Sequence, residues 1–349
     1  MLRTLASIAL LTTALSANAS AAGAKLPTLT EAIDRGDYIK ITSVVVEQHG
    51  RIVYEHYHAG DGPRSLHDVR SAGKSVTALA VGTAIADGAL PGVDTPAFPR
   101  LSDLAPFAND GPVKQAILLR DLLTMSSALS CDDWEDASPG NEERMYPTRS
   151  WARFAVDLPT APGYVRDASG YGRFSYCTAG AFLVGQIVQR ATAERVDRYL
   201  QHRLFNPLGI HSVAWVSSPS GEIQTGGQAS YRARDLAKIG RLVLNHGRWR
   251  GKQVVPSEWV DAMLTPRRRA DADNDYGYFW WRRDFTASTG PHSGWYMSGN
   301  GGNKVIVFRD FDAVVVVTST NFNARGMHQQ TTDLVVRHVL PMLELPTSK

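Results

Sequence analysis

Two stretches near the start of the chain, Ile41 to Glu47 and Arg51 to Tyr57, interleave β-branched and aromatic residues with polar ones. With His49-Gly50 between them, this is the pattern of an antiparallel hairpin. From Ser71 to Asp87 the period changes: Val76, Leu79, Ala80 and Ala84 recur at helical spacing, Val81 and Ile85 widen the face, and Gly88 ends it. That spacing predicts a buried helix. Val113 to Met125, Ser150 to Leu158, Gly180 to Ala193 and Arg195 to Leu204 read as further helices among loops, followed by Arg232 to Asn245 and Ser257 to Leu264. Tyr276 to Arg282, Gly294 to Ser298, Lys304 to Phe308 and Ala313 to Thr318 read as strands, and Thr331 to Leu340 as a last helix. Strands at both ends with helices between predict an α+β fold, one antiparallel sheet built from both chain ends around an inserted, mostly helical domain. The expected division is 22–75 with 221–349 for the sheet domain and 76–220 for the helical one.

The 349 residues fit two domains or one with a large insertion, and 43% hydrophobic content suffices for a sizeable core. Charge is nearly balanced, 37 basic against 34 acidic residues, net +3. The densest basic runs, Arg248 to Lys252 and Arg267-Arg268-Arg269, are short, and Asp271, Asp273 and Asp275 follow the second. Nucleic acid is therefore not an expected partner. Arg3, an apolar stretch from Leu5 to Leu15 and the small-x-small site Ala17-Asn18-Ala19 read as a signal peptide over residues 1–21, implying a periplasmic or secreted protein. Beyond the leader no apolar run approaches membrane length. In an oxidising compartment Cys131 and Cys177 can form a disulfide, and two buried thiols are the alternative; the spacing does not choose.

The chemistry centres on Ser71-Ala72-Gly73-Lys74. Residues three apart share a helix face, so an ammonium can lie beside the hydroxyl and an amine can take its proton. The tetrad alone is common, since serine caps helices and lysine is often solvated. Ala72-Gly73-Lys74-Ser75 also matches the second half of a phosphate-binding loop, but Asp68 occupies the position where that loop needs its first glycine. The Gly-x-Ser-x-Gly elbow is absent. Two later segments supply partners: Phe174 to Gly180, with Tyr176 and Thr178 before an apolar helix, and Gly299-Asn300-Gly301-Gly302-Asn303 before a strand.

With these three segments in this order, the chain resembles the serine β-lactamase and penicillin-binding protein family, in particular its class C-like esterase and carboxypeptidase branch. Leu118 to Ser127, Pro162-Gly163, Arg234 to Lys238, Tyr276-Gly277-Tyr278 and Trp280-Trp281 extend the likeness over nearly all of the chain after the leader. The resemblance implies a β-lactamase/transpeptidase-like fold, Ser71 as the acylated nucleophile, Lys74 as its activating partner and Tyr176 as a proton shuttle. It also implies an oxyanion hole from the N–H groups of Ser71 and Asn303, with Gly301 and Gly302 allowing close approach of substrate. Thr178 stands where the family has asparagine or serine, and Asn300 where it has lysine or histidine. Both remain substrate-binding candidates, but Asn300 carries no charge, so the site loses a cation for a substrate carboxylate unless Arg70 or Arg173 reaches in.

His56-x-His58 shows no third ligand at metal spacing, so no metal is expected, nor any cofactor. The acidic cluster Asp132-Asp133 with Glu135-Asp136 reads as a solvated loop, and Trp280 and Trp281 as core and pocket wall. The resulting expectation is an exported serine hydrolase acting on a small-molecule ester or amide. A D-alanyl carboxypeptidase or β-lactamase, and a non-catalytic binding protein on the same fold, are the alternatives. Oligomeric state is left open.

Overall fold

A computed structural model describes residues 28–344, so the leader reading falls outside the described residues. Helix α1, Leu29–Asp34, opens on a capping box: Thr28 Oγ1 accepts from the Glu31 N–H, and the Glu31 carboxylate accepts from the Thr28 N–H. The expected hairpin follows as β1, Ile41–Gln48, and β2, Arg51–Tyr57. Helix α2 spans Gly73–Ala86 and α3 spans Thr178–Thr192; between them lie short helices and loops. Helix α4, Ala233–Leu244, returns the chain to the sheet. The remaining strands of the large sheet are β3, Arg268–Arg269; β4, Asp275–Tyr276; β5, Trp281–Ala287; β6, Gly290–Gly299; β7, Asn303–Phe308; and β8, Ala313–Ser319. Helix α5, Met327–Leu334, continues through a π turn into Leu340–Leu343.

The eight strands form one sheet in the order β2-β1-β8-β7-β6-β5-β4-β3, joining the two ends of the sequence through the antiparallel pair β1–β8. Strands β1 and β8 are buried throughout because both faces are covered. Alternation sorts their side chains: Val45, Val305, Val307, Val314 and Val316 pack with the α2, α3 and α4 layer. Val44, Val46, Ile306, Val315 and Val317 pack with α1 and the C-terminal helices. This is the β-lactamase/transpeptidase-like arrangement of a large antiparallel sheet flanked by helices.

Two predicted elements differ. Tyr276 to Arg282 is not one strand: Gly277-Tyr278-Phe279-Trp280 loops out, with Phe279 at φ +57°, and pairing resumes only at Trp281. The aromatic residues that imitate strand spacing are instead buried by packing into the core. Val113 to Met125 breaks into Pro112–Gln115 and Leu119–Leu123, because Leu118 is extended and bridges Pro96. The structure pairs Cys131 with Cys177 in a disulfide across 46 positions, Cα to Cα 5.3 Å, which ties the loop after Cys131 to the start of α3.

Candidate active site

The chain reaches Ser71 through a constrained turn. Arg70 has φ +52°, a left-handed conformation that costs a non-glycine residue about 1–3 kcal/mol. Asp68 offsets it: its Oδ1 accepts from the Arg70 N–H at 2.9 Å and its Oδ2 lies 3.1 Å from the Arg70 guanidinium. A single 3-10 turn, Arg70–Ala72, then delivers Ser71 to the head of α2.

Lys74 follows one turn later and is 1% exposed. Its Nζ donates to Ser71 Oγ at 2.9 Å, Thr178 Oγ1 at 2.8 Å and the Gly226 carbonyl at 2.6 Å. All three positions around the buried nitrogen are thus filled: an ammonium would donate to each oxygen, and the amine form would donate to Thr178 and Gly226 and accept from Ser71. The Tyr176 ring lies 4.8 Å from Nζ. Burial raises the Tyr176 phenol above its ordinary range, with Lys74 and the nearby Ser71 hydroxyl acting in the opposite direction. Tyr176 is therefore a protonated phenol at neutral pH, poised as an acid. It stacks between Trp134, 5.6 Å away and nearly parallel at 3°, and Trp281, 5.8 Å away.

Ser71 and Tyr176 open into a cavity of about 450 Å³. Its helical-domain wall carries Asp133, Trp134 and Glu142, and its sheet wall carries Trp281, Arg283, Tyr296, Ser298, Asn300 and Lys304. Asp133 is not a solvated loop residue as its sequence context suggests. Its carboxylate accepts from the Thr178 N–H at 2.7 Å and the Glu142 N–H at 2.9 Å. Burial, aided by nearby Glu142, pushes it up to about 6, against the pull of Lys74.

The predicted residues divide. Ser71, Lys74 and Thr178 meet in one hydrogen-bonded group with the Tyr176 ring packed on Lys74, and Asn300 lines the cavity beside them. Asn303 does not: it is 1% exposed, with its side chain bonded to the Asn300 and Ser319 carbonyls and the Ser319 N–H. Gly301 and Gly302, at φ +89° and +86°, turn the chain from β6 to β7. A Cβ there would meet Phe322 at 2.9 Å and the Met327 carbonyl at 2.4 Å, so packing against α5 requires them. Of the three glycines of this segment, the one that packs on the nucleophile turn is Gly299, where a Cβ would stand 1.9 Å from the Val69 carbonyl oxygen and 3.1 Å from the Ala72 nitrogen.

The sheet wall carries two cations that sequence reasoning missed, Arg283 and Lys304. Neither arginine proposed to replace the family cation lines this cavity. Arg70 sits over Phe322 at 4.3 Å, and Arg173 lies in a separate groove with Tyr164 and Val165. The only sequence signal for Lys304 is a charge at the head of an otherwise apolar strand. Trp280 is fully buried and Trp281 forms cavity wall. Away from the site, α1 supplies the third group that His56 and His58 lack in sequence: potential ligand atoms of Asp34, His56 and His58 lie within 4.8 Å of one another. His58 Nδ1 is 3.4 Å from the Asp34 carboxylate.

A buried lysine bonded to a serine at a helix head, with a tyrosine beside them, is the arrangement an activated serine nucleophile requires. The Beta-lactamase family model matches residues 30–339, and the chain belongs to that family. It is 29% identical over 234 residues to the 6-aminohexanoate-dimer hydrolase of Paenarthrobacter ureafaciens, which covers 65% of this chain and 57% of the relative. The chain thus matches little over half the length of that relative. Among solved structures it is similar to a Bacillus anthracis protein provisionally named a 6-aminohexanoate-dimer hydrolase, with TM-score 0.73, 19% identity, and coverage of 93% of this chain and 84% of the other. It is also similar to a penicillin-binding protein from Bacillus halodurans, with TM-score 0.68, 18% identity, and coverage of 88% and 98%. Among the described residues no helix is long and apolar enough to cross a membrane.

Proposed function

We propose that this serine hydrolase is exported and cleaves a small ester or amide through an acyl-enzyme on Ser71. The observation that carries the reading is the closed hydrogen-bond set of Lys74 Nζ with Ser71, Thr178 and Gly226, with the Tyr176 ring 4.8 Å from the same Nζ. Ser71 Oγ attacks the carbonyl carbon while its proton passes to Lys74 in its amine form. Tyr176 gives its proton to the leaving oxygen or nitrogen as that bond breaks, and is reprotonated from Lys74. In the second half water attacks the ester, and the same relay returns a proton to Ser71.

The developing oxyanion needs two N–H donors. Ser71 supplies one, and we assign the other to Asn300 rather than Asn303. The support is that Gly299 packs on the Val69–Ala72 turn and Asn300, the next residue, borders the cavity, whereas Asn303 is sealed behind the β6–β7 turn. The names of the relatives favour amides as well as esters.

Intact-mass spectrometry after brief exposure to p-nitrophenyl acetate and, separately, a penicillin tests the reading, with Ser71→Ala alongside. An ester-derived adduct or turnover that vanishes in the variant supports it, and a stable penicillin adduct would move the enzyme toward the penicillin-binding branch. Equal inertness of wild type and variant to both reagents would overturn it in favour of a binding protein.

A further inference from the structure

Lys304 is a buried lysine that lines this cavity, and its chemistry is left unused by the acylation group. It is 4% exposed, is the second residue of β7 and pairs across the sheet with Ser298 on β6. Its Nζ donates to Ser298 Oγ at 3.1 Å and lies 4.4 Å over the Tyr296 ring. An ammonium has three N–H donors, and among the described residues one hydroxyl and one aromatic face are all that meets these. No carboxylate forms an ion pair with it. Burial and the neighbouring Arg283 push its ammonium down to about 7, partly countered by Asp271.

The surroundings match a site for an anion. Arg283 borders the same wall, with its only ion-pair partner, Asp273, at 3.8 Å, and its Nε is buried without a partner. His328 is held neutral beside Lys304. Asp271 borders the cavity too, but it is tied to its own loop, accepting from the Asp273 N–H and from the backbone and side chain of Asn274. A buried, under-partnered cation is costly unless something negative completes it. Lys304 and Ser298 border the same cavity as Ser71, so that partner can be part of the molecule being cleaved.

We propose that Lys304, with Ser298, anchors a carboxylate of the substrate, so that the enzyme prefers esters or amides bearing a free acid over their neutral counterparts. This reverses the expectation drawn from Asn300 alone, because the cation comes from the following strand. It rests on the reading of Ser71 as the acylated nucleophile.

Two pairs of chromogenic esters test it. Mono-p-nitrophenyl glutarate carries the acid on the acyl side and 4-acetoxybenzoate carries it on the leaving group; each is compared with its methyl ester. In at least one pair the wild type is expected to favour the acid by tenfold or more in kcat/KM. Lys304→Met is expected to cut that preference at least tenfold, and Ser298→Ala to cut it less. Glutarate should compete with the acid in the wild type, and its inhibition constant should rise in Lys304→Met. Thermal melting establishes that each variant is folded.

A wild type that favours both neutral esters, or a preference untouched by Lys304→Met in a folded variant, would overturn the proposal. Absence of turnover and of any Ser71 adduct with all four esters would instead sink the hydrolase reading beneath it.

Discussion

Thr178 Oγ1 accepts a hydrogen bond from Lys74 Nζ at 2.8 Å, joining the first turns of α2 and α3. Thr178 is fully buried, and its backbone N–H is held by Asp133, which fixes the main chain that carries the acceptor. Thr178→Val keeps the shape and removes the oxygen. Leaving the Lys74 ammonium one acceptor short costs about 1–3 kcal/mol of stability. We expect kcat/KM to fall at least about tenfold as the lysine reorients, and Thr178→Ser to stay near wild type. Steady-state kinetics with p-nitrophenyl acetate and a urea melt check both variants.

Gly299 is the tightest contact between the sheet and the nucleophile turn. Its φ of −136° suits any residue, so the requirement is purely steric. Gly299→Ala places a carbon 1.9 Å from the Val69 oxygen, which must push β6 away from Ser71. A displacement near 1 Å at the reacting centre costs on the order of a hundredfold in rate. The expected outcome is a folded protein with kcat/KM down by about that factor. Unchanged kinetics would show that β6 does not need to touch the turn.

Lys304 also makes a stability prediction whose sign is unusual. Its folded pKa, about 7, lies below the ordinary lysine value, so the unfolded chain binds the proton more tightly between those two pH values. Stability therefore rises with pH across that window, and the cost of the buried ammonium is fully present below about 7. Lys304→Met removes the cost. We expect the variant to be more stable than wild type by several kcal/mol near pH 6, and the difference to shrink toward pH 10. Denaturant melts at the two pH values measure it; a larger gain at pH 10 would contradict the assignment.

The Cys131–Cys177 bridge constrains the unfolded chain over 46 positions, which the loop-entropy relation converts to about 4 kcal/mol. Its ends lie beside Asp133 and Tyr176, on the helical-domain wall. Replacing both cysteines by serine is expected to cost about that much in urea unfolding. The double variant should lose the sensitivity to reductant that wild type shows. If reductant leaves the wild-type melt unchanged, the bridge contributes little.

The residues that act within one turn of helix were the most legible. Ser71 and Lys74 are three apart, Tyr176 and Thr178 two apart, and their order along the chain was enough to expect one site. The β6–β7 turn was legible as a motif, but which of its residues borders the cavity was not. Three glycines within four positions look alike in sequence, and only the packing of Gly299 on Val69 and of Gly302 on α5 tells them apart. Lys304 was hidden for a different reason. It belongs to a strand whose pattern is otherwise apolar, and the cavity it borders exists only once β5, β6 and β7 are side by side. Asp133 shows the same limit, since an acidic tetrad in sequence gives no sign of which carboxylate turns inward.

Tyr176 lies between two indoles, Trp134 and Trp281, and Trp134 is more than half exposed. The proton relay is therefore enclosed by the strongest natural fluorophores a protein has. A molecule entering the cavity displaces water from an indole face, and an acyl group on Ser71 changes the electric field that both rings feel. The proposed acyl-enzyme would therefore carry its own optical reporter, and acylation of Ser71 is expected to change the tryptophan emission with no label and no chromogenic leaving group. Substrates that release nothing coloured can be screened by watching the protein itself.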